Sequence, residues 1–583
     1  MMILKDKRLV ILQTESQAMH YYKNFYPNES DIILPIGPES LYFAEKHNFQ
    51  IINFKDLWTE IEYENAKYES STKLSNLVEE LNLFSIKFDT NKNLEIGHYF
   101  EFQLWVVIGQ IRLNHFIVQS IIKNINPSNI LCYRKSGNFF FMNYRPDPDC
   151  LLVDVLLNFK SKTPIKIEVL KLEEKQIIKT RREKILSRIP TTVRFFLSKY
   201  RDNLLIKNKY KPSKKLLLTG SASEWIKLNK FEHFKKSFQL VSQPTITHSF
   251  WVECPTELKE IIESSISFNN FYTYDVSELS KKIFFELNDF SENFCKILKI
   301  VKNSDAIVTN VLTLPIELYI AHLASLNKVP VVVWQHGEKG QSIDPTIEST
   351  ELRYASNYFC YSESVKKYFE SSFYNKKSVN IDVVGSFEKR VKWSGAGGIV
   401  YATGKWFKTA TPFLPVSDPD YRLFNAHRKI LTFLENLSSK YEIIFRPNNT
   451  PGFNNIPYKF NKVKIDYYNT FVKLLENASV VILDTPATTL VEACSTKVPI
   501  FVLGGRTNYL PDFLESIKKR VVWCENADDL CKKLDNFIKF KIYESHLNDE
   551  TYLKKYCPQA DNITVTNNII NCLFSATNKN QLK

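Results

Sequence analysis

The feature that most constrains the fold of this chain is a repeated alternation of short apolar runs with longer helical stretches. Two of the runs, Val331–Trp334 and Val480–Leu483, consist only of apolar residues. A strand in a parallel sheet needs such a continuous run, because helices cover both faces of the sheet. The pattern therefore predicts an α/β protein in which parallel strands alternate with helices.

The alternation is interrupted along the chain, and the interruptions indicate several domains. A chain of 583 residues is also longer than one hydrophobic core usually supports. Three glycines in Gly395-Ala396-Gly397-Gly398 mark the boundary between two lobes. The expected divisions are an N-terminal α/β region, a basic helical segment or linker, a second α/β part of the N-terminal lobe, a C-terminal lobe and a helical tail, over residues 1–160, 161–215, 216–392, 393–545 and 546–583.

Individual elements can also be placed along the sequence. We expect strands near residues 129–133 and 151–155, and helices over most of residues 65–124. We expect a further helix over residues 316–326, before the apolar run that ends at Trp334.

The net charge of +14 is concentrated in one segment. Between Lys175 and Lys215, fourteen lysines and arginines stand against two acids, a net charge of +12. Basic residues interleaved with large apolar ones can lie along an anionic membrane. The alternative is a solvated pair of basic helices that links two domains, and Pro190 favours it by interrupting a long amphipathic face. No recognisable nucleic-acid-binding module accompanies the charge, so we expect no specific nucleic acid partner.

The remaining composition indicates an intracellular protein. The ten cysteines are scattered without a CxxC pair, which favours free thiols in a reducing compartment. The N-terminal apolar run is too short for a signal peptide, and no window approaches the roughly 20 apolar residues of a membrane-spanning helix. We therefore expect a cytoplasmic protein with at most a peripheral contact at the inner face of the cell membrane. No acidic cluster follows a predicted strand, so we expect no metal site.

The strongest candidate site follows the apolar run Val480–Leu483. The next residues, Asp484-Thr485-Pro486-Ala487-Thr488-Thr489, lead into a predicted helix. Ligands of parallel sheets bind beyond the carboxyl ends of the strands. The hydroxyls of Thr488 and Thr489 and the free N–H groups of the first helical turn can bind a phosphate, and Glu492 can reach a ribose. The alternative is ordinary capping of the helix without a ligand.

Two further candidates also follow apolar strands. Gln335-His336-Gly337-Glu338 offers His336 and Glu338 as general bases, beside a glycine that lets a substrate approach the backbone. Arg446, with Asn448 shortly after it, can bind a diphosphate or carboxylate through two parallel hydrogen bonds. For His336 and Arg446 the alternatives are structural: an incidental histidine, and an arginine in an internal ion pair.

Taken in order, several short motifs resemble those of GT-B glycosyltransferases. The resemblance is narrowest to bacterial surface-polysaccharide transferases that use CMP-linked ulosonic acids and to CDP-glycerol glycerophosphotransferases. It covers residues 305–505, about a third of the chain. The motifs are Trp334-Gln335-His336-Gly337, Tyr361-Ser362-Glu363-Ser364, Val384-Gly385-Ser386, Phe445-Arg446-Pro447 and Asp484-Thr485-Pro486-Ala487-Thr488-Thr489 with Glu492.

The resemblance implies a fold and residue roles. The implied fold has two Rossmann-like lobes whose parallel sheets face a central cleft, here with a basic helical insertion. His336 occupies the place of the proposed base in the glycerophosphotransferases, and Thr488 and Thr489 match the paired hydroxyl residues that hold the donor phosphate. Where these families have a His-Pro element, this chain has Arg446-Pro447-Asn448. The resemblance therefore implies that Arg446 balances the negative charge of the leaving phosphate.

The sequence thus predicts an inverting, metal-independent glycosyltransferase. Its expected donor is a nucleotide sugar, most simply a CMP-linked ulosonic acid, which Gln335, Gly337, Asn448 and Asp484 would help to bind. Its expected acceptor is a growing surface glycan or glycolipid, and no cofactor is expected. The alternatives are transfer of glycerol phosphate from CDP-glycerol, or a non-catalytic scaffold that binds anionic glycolipid through the segment from Lys175 to Lys215.

Overall fold

The computed structural model consists mainly of three parallel sheets covered by helices, in the part of the chain that it describes. The predicted fold class, an α/β protein with parallel sheets, is therefore confirmed. The described residues are 7–25, 29–88, 94–135, 140–141, 145–146, 148–159, 165–172, 206–243, 253–267, 276–337, 339–342, 346–371, 379–388, 391–404, 420–448, 460–504 and 509–578.

The first sheet has four parallel strands in the order β2-β1-β3-β4. The strands are β1 (Arg8–Leu12), β2 (Asp31–Pro35), β3 (Asn129–Lys135) and β4 (Lys166–Leu172). The helices of this region are α1 (Glu15–Asn24), α2 (Pro38–Lys46), α3 (Glu60–Phe88), α4 (Ile96–Asn124) and α5 (Pro148–Asn158), with a 3-10 turn at Phe54–Leu57 and short paired strands at Phe140–Phe141 and Arg145–Pro146. The predicted strand at residues 129–133 and the long helical region are confirmed.

The strand predicted at residues 151–155 is wrong, because these residues belong to α5. Leu152, Val153, Val155 and Leu156 are all buried. Their spacing also fits one face of a helix, and a short apolar run does not distinguish the two structures. Pro148 favours the helix, since proline is well tolerated as a first helical residue.

The second sheet has six parallel strands in the order β10-β9-β8-β7-β5-β6. The strands are β5 (Lys214–Leu218), β6 (Phe238–Ser242), β7 (Ala306–Thr309), β8 (Val331–Trp334), β9 (Asn357–Cys360) and β10 (Asn380–Val383), followed by a short β11 (Ser386–Phe387). The helices are α6 (Ser223–Leu228), α7 (Glu232–Ser237), α8 (Thr256–Ile266), α9 (Ser277–Lys302), α10 (Pro315–Leu326), a π-helical turn (Glu348–Leu352) and α11 (Glu363–Ser371).

The first and second sheets share one hydrophobic core. The buried residues of this core include Leu9 and Ile11 of β1 and Ile307 of β7, and helices α3, α4, α9 and α10 lie among them. Most of α4 is buried, including its polar residues Gln103 and His115. The first sheet is thus firmly joined to the second by the helices they share.

The third sheet also has six parallel strands, in the order β14-β13-β12-β15-β16-β17. The strands are β12 (Ile399–Ala402), β13 (Ile443–Arg446), β14 (Lys464–Ile465), β15 (Val480–Leu483), β16 (Ile500–Leu503) and β17 (Val522–Cys524). Its helices are α12 (Asp420–Leu437), α13 (Phe471–Leu475), α14 (Thr488–Cys494), α15 (Pro511–Lys518) and α16 (Ala527–Phe540).

The last elements return from the third sheet to the second. They are α17 (Thr551–Tyr556), β18 (Gln559–Ala560) and α18 (Asn562–Asn578). Strand β18 pairs in parallel with β11, and Val565, Ile569 and Leu573 of α18 share a buried cluster with Leu216 of β5 and Val308 of β7. The C-terminal segment therefore ties the two six-stranded lobes together.

Two predictions concern parts of the chain that the structure does not describe. Most of the basic segment from Lys175 to Lys215 lies outside the described residues, which resume at residue 206. Glu338, one of the two predicted bases, is also outside them. Among the helices that are described, none has both the length and the apolar character needed to cross a membrane.

Candidate functional site

Three strands of the third sheet end at the same level. Ala402 of β12 lies opposite Arg446 of β13 and Leu483 of β15, so the residues after them share one sheet edge. The N–H of Asn448 donates a hydrogen bond of 3.3 Å to Thr403 Oγ1, which ties two of these ends together. The structure thus brings the predicted residues Arg446, Asn448 and Asp484 to one edge.

Asp484 is fully buried and holds this edge from within. Its Oδ1 accepts a hydrogen bond of 2.6 Å from the N–H of Gly404, and its Oδ2 lies 2.8 Å from Nε2 of the buried His427 on α12. A β-carbon on Gly404 would lie 2.7 Å from Thr485 Oγ1, so a larger residue here would require the side chain of Thr485 to move. Asp484 therefore has a clear positioning role, while its predicted contact with a donor stays a prediction.

Thr488 and Thr489 are the first two residues of α14, as predicted. Ala487 precedes them in an extended conformation. The side chain of Thr488 is exposed and that of Thr489 is half-buried. Since α14 has only seven residues, its dipole contributes little, and any phosphate bound here depends mainly on hydroxyl and cationic side chains.

Arg446 supplies a cation at the same edge. Its guanidinium is half-buried, and Nε donates a hydrogen bond of 3.2 Å to the carbonyl of Asn469. Burial lowers the pKa of Arg446, while the carboxylates of Glu492 and Asp466 act in the opposite direction. The predicted residues Arg446 and Glu492 therefore feel each other's charge, and both alternatives for Arg446, a phosphate ligand and an internal charge pair, remain open.

The second lobe contributes the turn after β8. Gln335 is fully buried: its Nε2 donates to the carbonyl of Gly337 over 2.9 Å, and its Oε1 accepts from the N–H of Tyr361 over 3.0 Å. Gly337 has a φ of +69°, which favours glycine. Gln335 thus shapes the turn, and the side chain of His336 beyond it is 52% exposed.

Glu224 faces His336, a contact that was not predicted from the sequence. Nδ1 of His336 lies 4.0 Å from Oε2 of Glu224, which is in the first turn of α6. Burial raises the pKa of Glu224, but the hydrogen bond from Ser223 and the attraction of Lys227 and His336 outweigh it, so the pKa lies below its usual value. Glu224 is therefore a carboxylate at neutral pH and can stabilise a protonated His336.

A signal for Glu224 was present in the sequence. The short loop Gly220-Ser221-Ala222-Ser223 separates it from strand β5, which ends at Leu218, and residues just beyond the strand ends of a parallel sheet are the first candidates for a ligand site. The buried His427 gave no such signal, because it lies inside a long helix.

The two turns from the two lobes meet in space. A β-carbon on Gly337 would lie 3.9 Å from Thr488 Oγ1, although the two residues follow strands of different sheets. Beyond Gly337 the chain stays in contact with the third-sheet lobe, since the N–H of Leu510 donates to the carbonyl of Gln341 over 2.7 Å. His336, Gly337 and Thr488 therefore border one cleft.

The next question is whether the described residues could bind a metal ion. Among them, no three histidine, cysteine, aspartate or glutamate side chains are grouped so that they could hold a metal ion. The groups that the cleft does present are a histidine with a carboxylate on one side, and hydroxyls with a guanidinium on the other. Such a set suits proton transfer next to a bound anion.

Comparison with known proteins gives structural similarities of low score. No family model and no curated protein matches the chain. A glycosyltransferase from Rickettsia africae ESF-5 is similar over 63% of this chain and 99% of that chain, with 12% sequence identity and a TM-score of 0.36. UGT71G1 from Medicago truncatula, solved in complex with UDP-glucose, is similar over 63% of this chain and 98% of that chain, with 10% identity and a TM-score of 0.35. At these values the similarities assign neither a family nor an activity.

Proposed function

We propose that the chain is a glycosyltransferase that binds a nucleotide-activated sugar between its two six-stranded lobes. The observation that carries this proposal is the approach of Gly337 to Thr488 across the cleft. A β-carbon added to Gly337 would lie 3.9 Å from Thr488 Oγ1. Both residues follow the carboxyl ends of parallel strands, where ligands of such sheets bind. A transferase needs its two substrates to meet at such a place.

In this proposal the third-sheet lobe holds the donor. Thr488, Thr489 and Arg446 bind its phosphate, Asn448 lies beside them, and Glu492 binds the ribose. Since Glu492 and Asp466 already balance part of the charge of Arg446, the site suits one phosphate better than two. This favours a CMP-linked sugar, such as an ulosonic acid, over a diphosphate-linked one.

The second-sheet lobe supplies the base. The acceptor hydroxyl attacks the anomeric carbon and its proton passes to Nε2 of His336, while the bond to the nucleotide phosphate breaks and the phosphate keeps the electron pair. Direct attack inverts the configuration at that carbon. Glu224, 4.0 Å from Nδ1, stabilises the imidazolium that forms. Glu338 remains the alternative base from the sequence.

The acceptor in this proposal is a growing surface glycan or a glycolipid. We place the protein in the cytoplasm, with a peripheral contact to the anionic membrane through the segment from Lys175 to Lys215. The support is the net charge of that segment, +12. The first-sheet domain would lie on the acceptor side.

The test has a binding part and a product part. Thermal unfolding is followed with CMP, UDP and CDP in turn, and the proposal expects CMP to stabilise the protein most. Transfer assays then use CMP-linked ulosonic acids, UDP-sugars and CDP-glycerol. Release of polymerised glycerol phosphate would instead identify a glycerophosphotransferase.

A further comparison separates an enzyme from a scaffold. If glycan synthesis in cells were unaffected by His336→Ala and by Glu338→Ala, this result would favour the alternative of a non-catalytic, glycolipid-binding scaffold. The matched control is His546→Ala, which changes an exposed histidine of the C-terminal tail.

A further inference from the structure

A cavity lies on the first-sheet domain, between helices α1 and α2. Its volume is about 320 Å³. Met19, Tyr22 and Lys23 line it from α1, and Phe43 and Lys46 line it from α2, with His47 directly after that helix. None of these residues belongs to the cleft between the two six-stranded lobes.

Aromatic rings form the wall of this cavity. The ring of His47 lies 4.2 Å from that of Phe43 and 4.5 Å from that of Tyr22, between ring centres. Phe49 packs behind Tyr22, at 6.1 Å. The rings support one another and form a firm surface, on which the apolar face of a sugar ring can stack.

Part of this wall is exposed to solvent. The buried face of helix α1 contains Ala18 and Tyr21. Met19 and Tyr22 are the next residues in the sequence, about 100° further around the helix, and so lie beside the buried face. They are 39% and 37% exposed, and they stand together rather than singly. An exposed apolar group with a concave shape indicates a binding site.

The charge at the rim selects the ligand. Lys23 and Lys46 face the cavity, and Glu15 is the carboxylate among its lining residues. The ammonium groups outnumber the carboxylate, so a ligand with an apolar ring face and a negative group fits best. We propose that this cavity binds an acidic sugar residue, a pyranose that carries a carboxylate, at a site separate from the transfer cleft.

The position of the cavity suggests what the bound sugar belongs to. Its wall helix α2 contacts the third-sheet lobe through the ion pair of Glu45 with Arg428, and Leu41 is buried in the core of that lobe. Arg428 is next to His427, which bonds to Asp484 in the donor site. On the basis of the proposed function, the cavity holds an acidic residue of the growing glycan chain beside the donor lobe.

The test measures binding to the full chain in the absence of any donor. The probe is a hexamer of α2,8-linked N-acetylneuraminic acid, titrated by isothermal calorimetry, with maltohexaose as the neutral probe. We expect binding of the acidic hexamer and at least tenfold weaker binding of maltohexaose. Equal binding of both probes, or no binding of the acidic hexamer at about 5 mM, would overturn the proposal.

Variants locate the binding. Tyr22→Ala and the double change Lys23→Gln with Lys46→Gln should each weaken binding of the acidic hexamer at least tenfold. The controls are Tyr68→Ala, which removes a ring that is 78% exposed on α3, and Lys87→Gln with Lys123→Gln, which removes two exposed cations from the same domain. If a control weakened binding as much as its matched variant, the site would lie elsewhere and the proposal would be wrong.

The result is independent of the transfer reaction. His336→Ala should leave binding of the acidic hexamer unchanged, since His336 does not line this cavity. If no nucleotide sugar served as donor while the hexamer still bound at Tyr22, the proposed function would fail and the sugar site would stand. If transfer occurred but Tyr22→Ala bound the hexamer normally, only the sugar site would fail.

Discussion

The two turns that meet in the cleft are held in different ways. On the third-sheet side, Asp484 is buried and bonds to both Gly404 and His427, so the edge is fixed from inside. On the second-sheet side, Gln335 fixes the backbone of the turn, but His336 is half exposed and faces Glu224 over 4.0 Å. For the proposed transferase, this difference implies a preformed donor site opposite a base whose side chain is less constrained.

This difference predicts separate consequences for mutations. Changes on the His336 side should affect the rate of transfer and leave the free energy of unfolding unchanged. Changes around Asp484 should lower that free energy and, through it, the affinity for the donor.

The largest effect is expected for His336→Ala. Removal of a general base costs about 10²- to 10⁴-fold in rate, so kcat should fall in that range while the melting temperature stays constant. Steady-state transfer assays at saturating donor measure the effect, with His546→Ala as the control. A loss of less than about threefold would show that the base lies elsewhere and would direct attention to Glu338.

Asp484→Ala should give the largest loss of stability. It leaves the N–H of Gly404 and the ring of the buried His427 without their acceptor, which costs about 3 kcal/mol in free energy of unfolding. Urea unfolding measures the change. Asp528→Ala is the matched control, because that carboxylate is 73% exposed and its ion pair with Lys429 should contribute less than about 1 kcal/mol. Equal effects of the two changes would contradict the internal role of Asp484.

Arg446→Ala should mainly weaken binding of the donor. Loss of a charged hydrogen bond to phosphate costs about 1.5–3 kcal/mol, so we expect the donor KM to rise about ten- to hundredfold with a smaller change in kcat. Arg446→Lys tests whether the shape of the guanidinium matters, since lysine keeps the positive charge but lacks the planar pair of parallel N–H donors. An unchanged KM in both variants would favour the alternative in which Arg446 serves an internal charge pair with Glu492.

The smallest effect is expected for Glu224→Gln. An ion pair that is partly exposed contributes less than about 1 kcal/mol, which corresponds to a two- to fivefold loss of kcat. Because the pKa of Glu224 lies below its usual value, the wild-type residue is a carboxylate at neutral pH, and the loss of kcat should be seen there. As the pH falls through this lowered pKa, the wild-type carboxyl group becomes protonated and neutral like the amide of the variant, so the two rates should converge. A variant with the full wild-type kcat at neutral pH would argue against this role.

The parallel strands were predictable because their signal is local. Runs such as Val331–Trp334 and Val480–Leu483 contain only apolar residues, which predicts that they are buried strands. The structure confirms both as strands. The run at residues 151–155 is also mostly apolar but follows Pro148 into a helix, so composition alone was insufficient.

The candidate site was only partly predictable. The turns after β8, β13 and β15 were found from their positions at strand ends. Glu224 and His427 were not found, because each reaches its partner through the packing of elements that are distant in the sequence. The aromatic cavity was missed for the same reason: Tyr22 and His47 come together only when α1 and α2 pack against each other.

The most direct test of the central claim is hydrogen exchange in the presence of a CMP-linked ulosonic acid. If one cleft holds the donor between both lobes, peptides that cover residues 331–342 and residues 482–492 should both exchange more slowly when the donor saturates the protein. The control peptide covers residues 60–88 of α3, which should be unaffected. Protection of neither turn, or of only one of them, would contradict a donor site formed by the two lobes together.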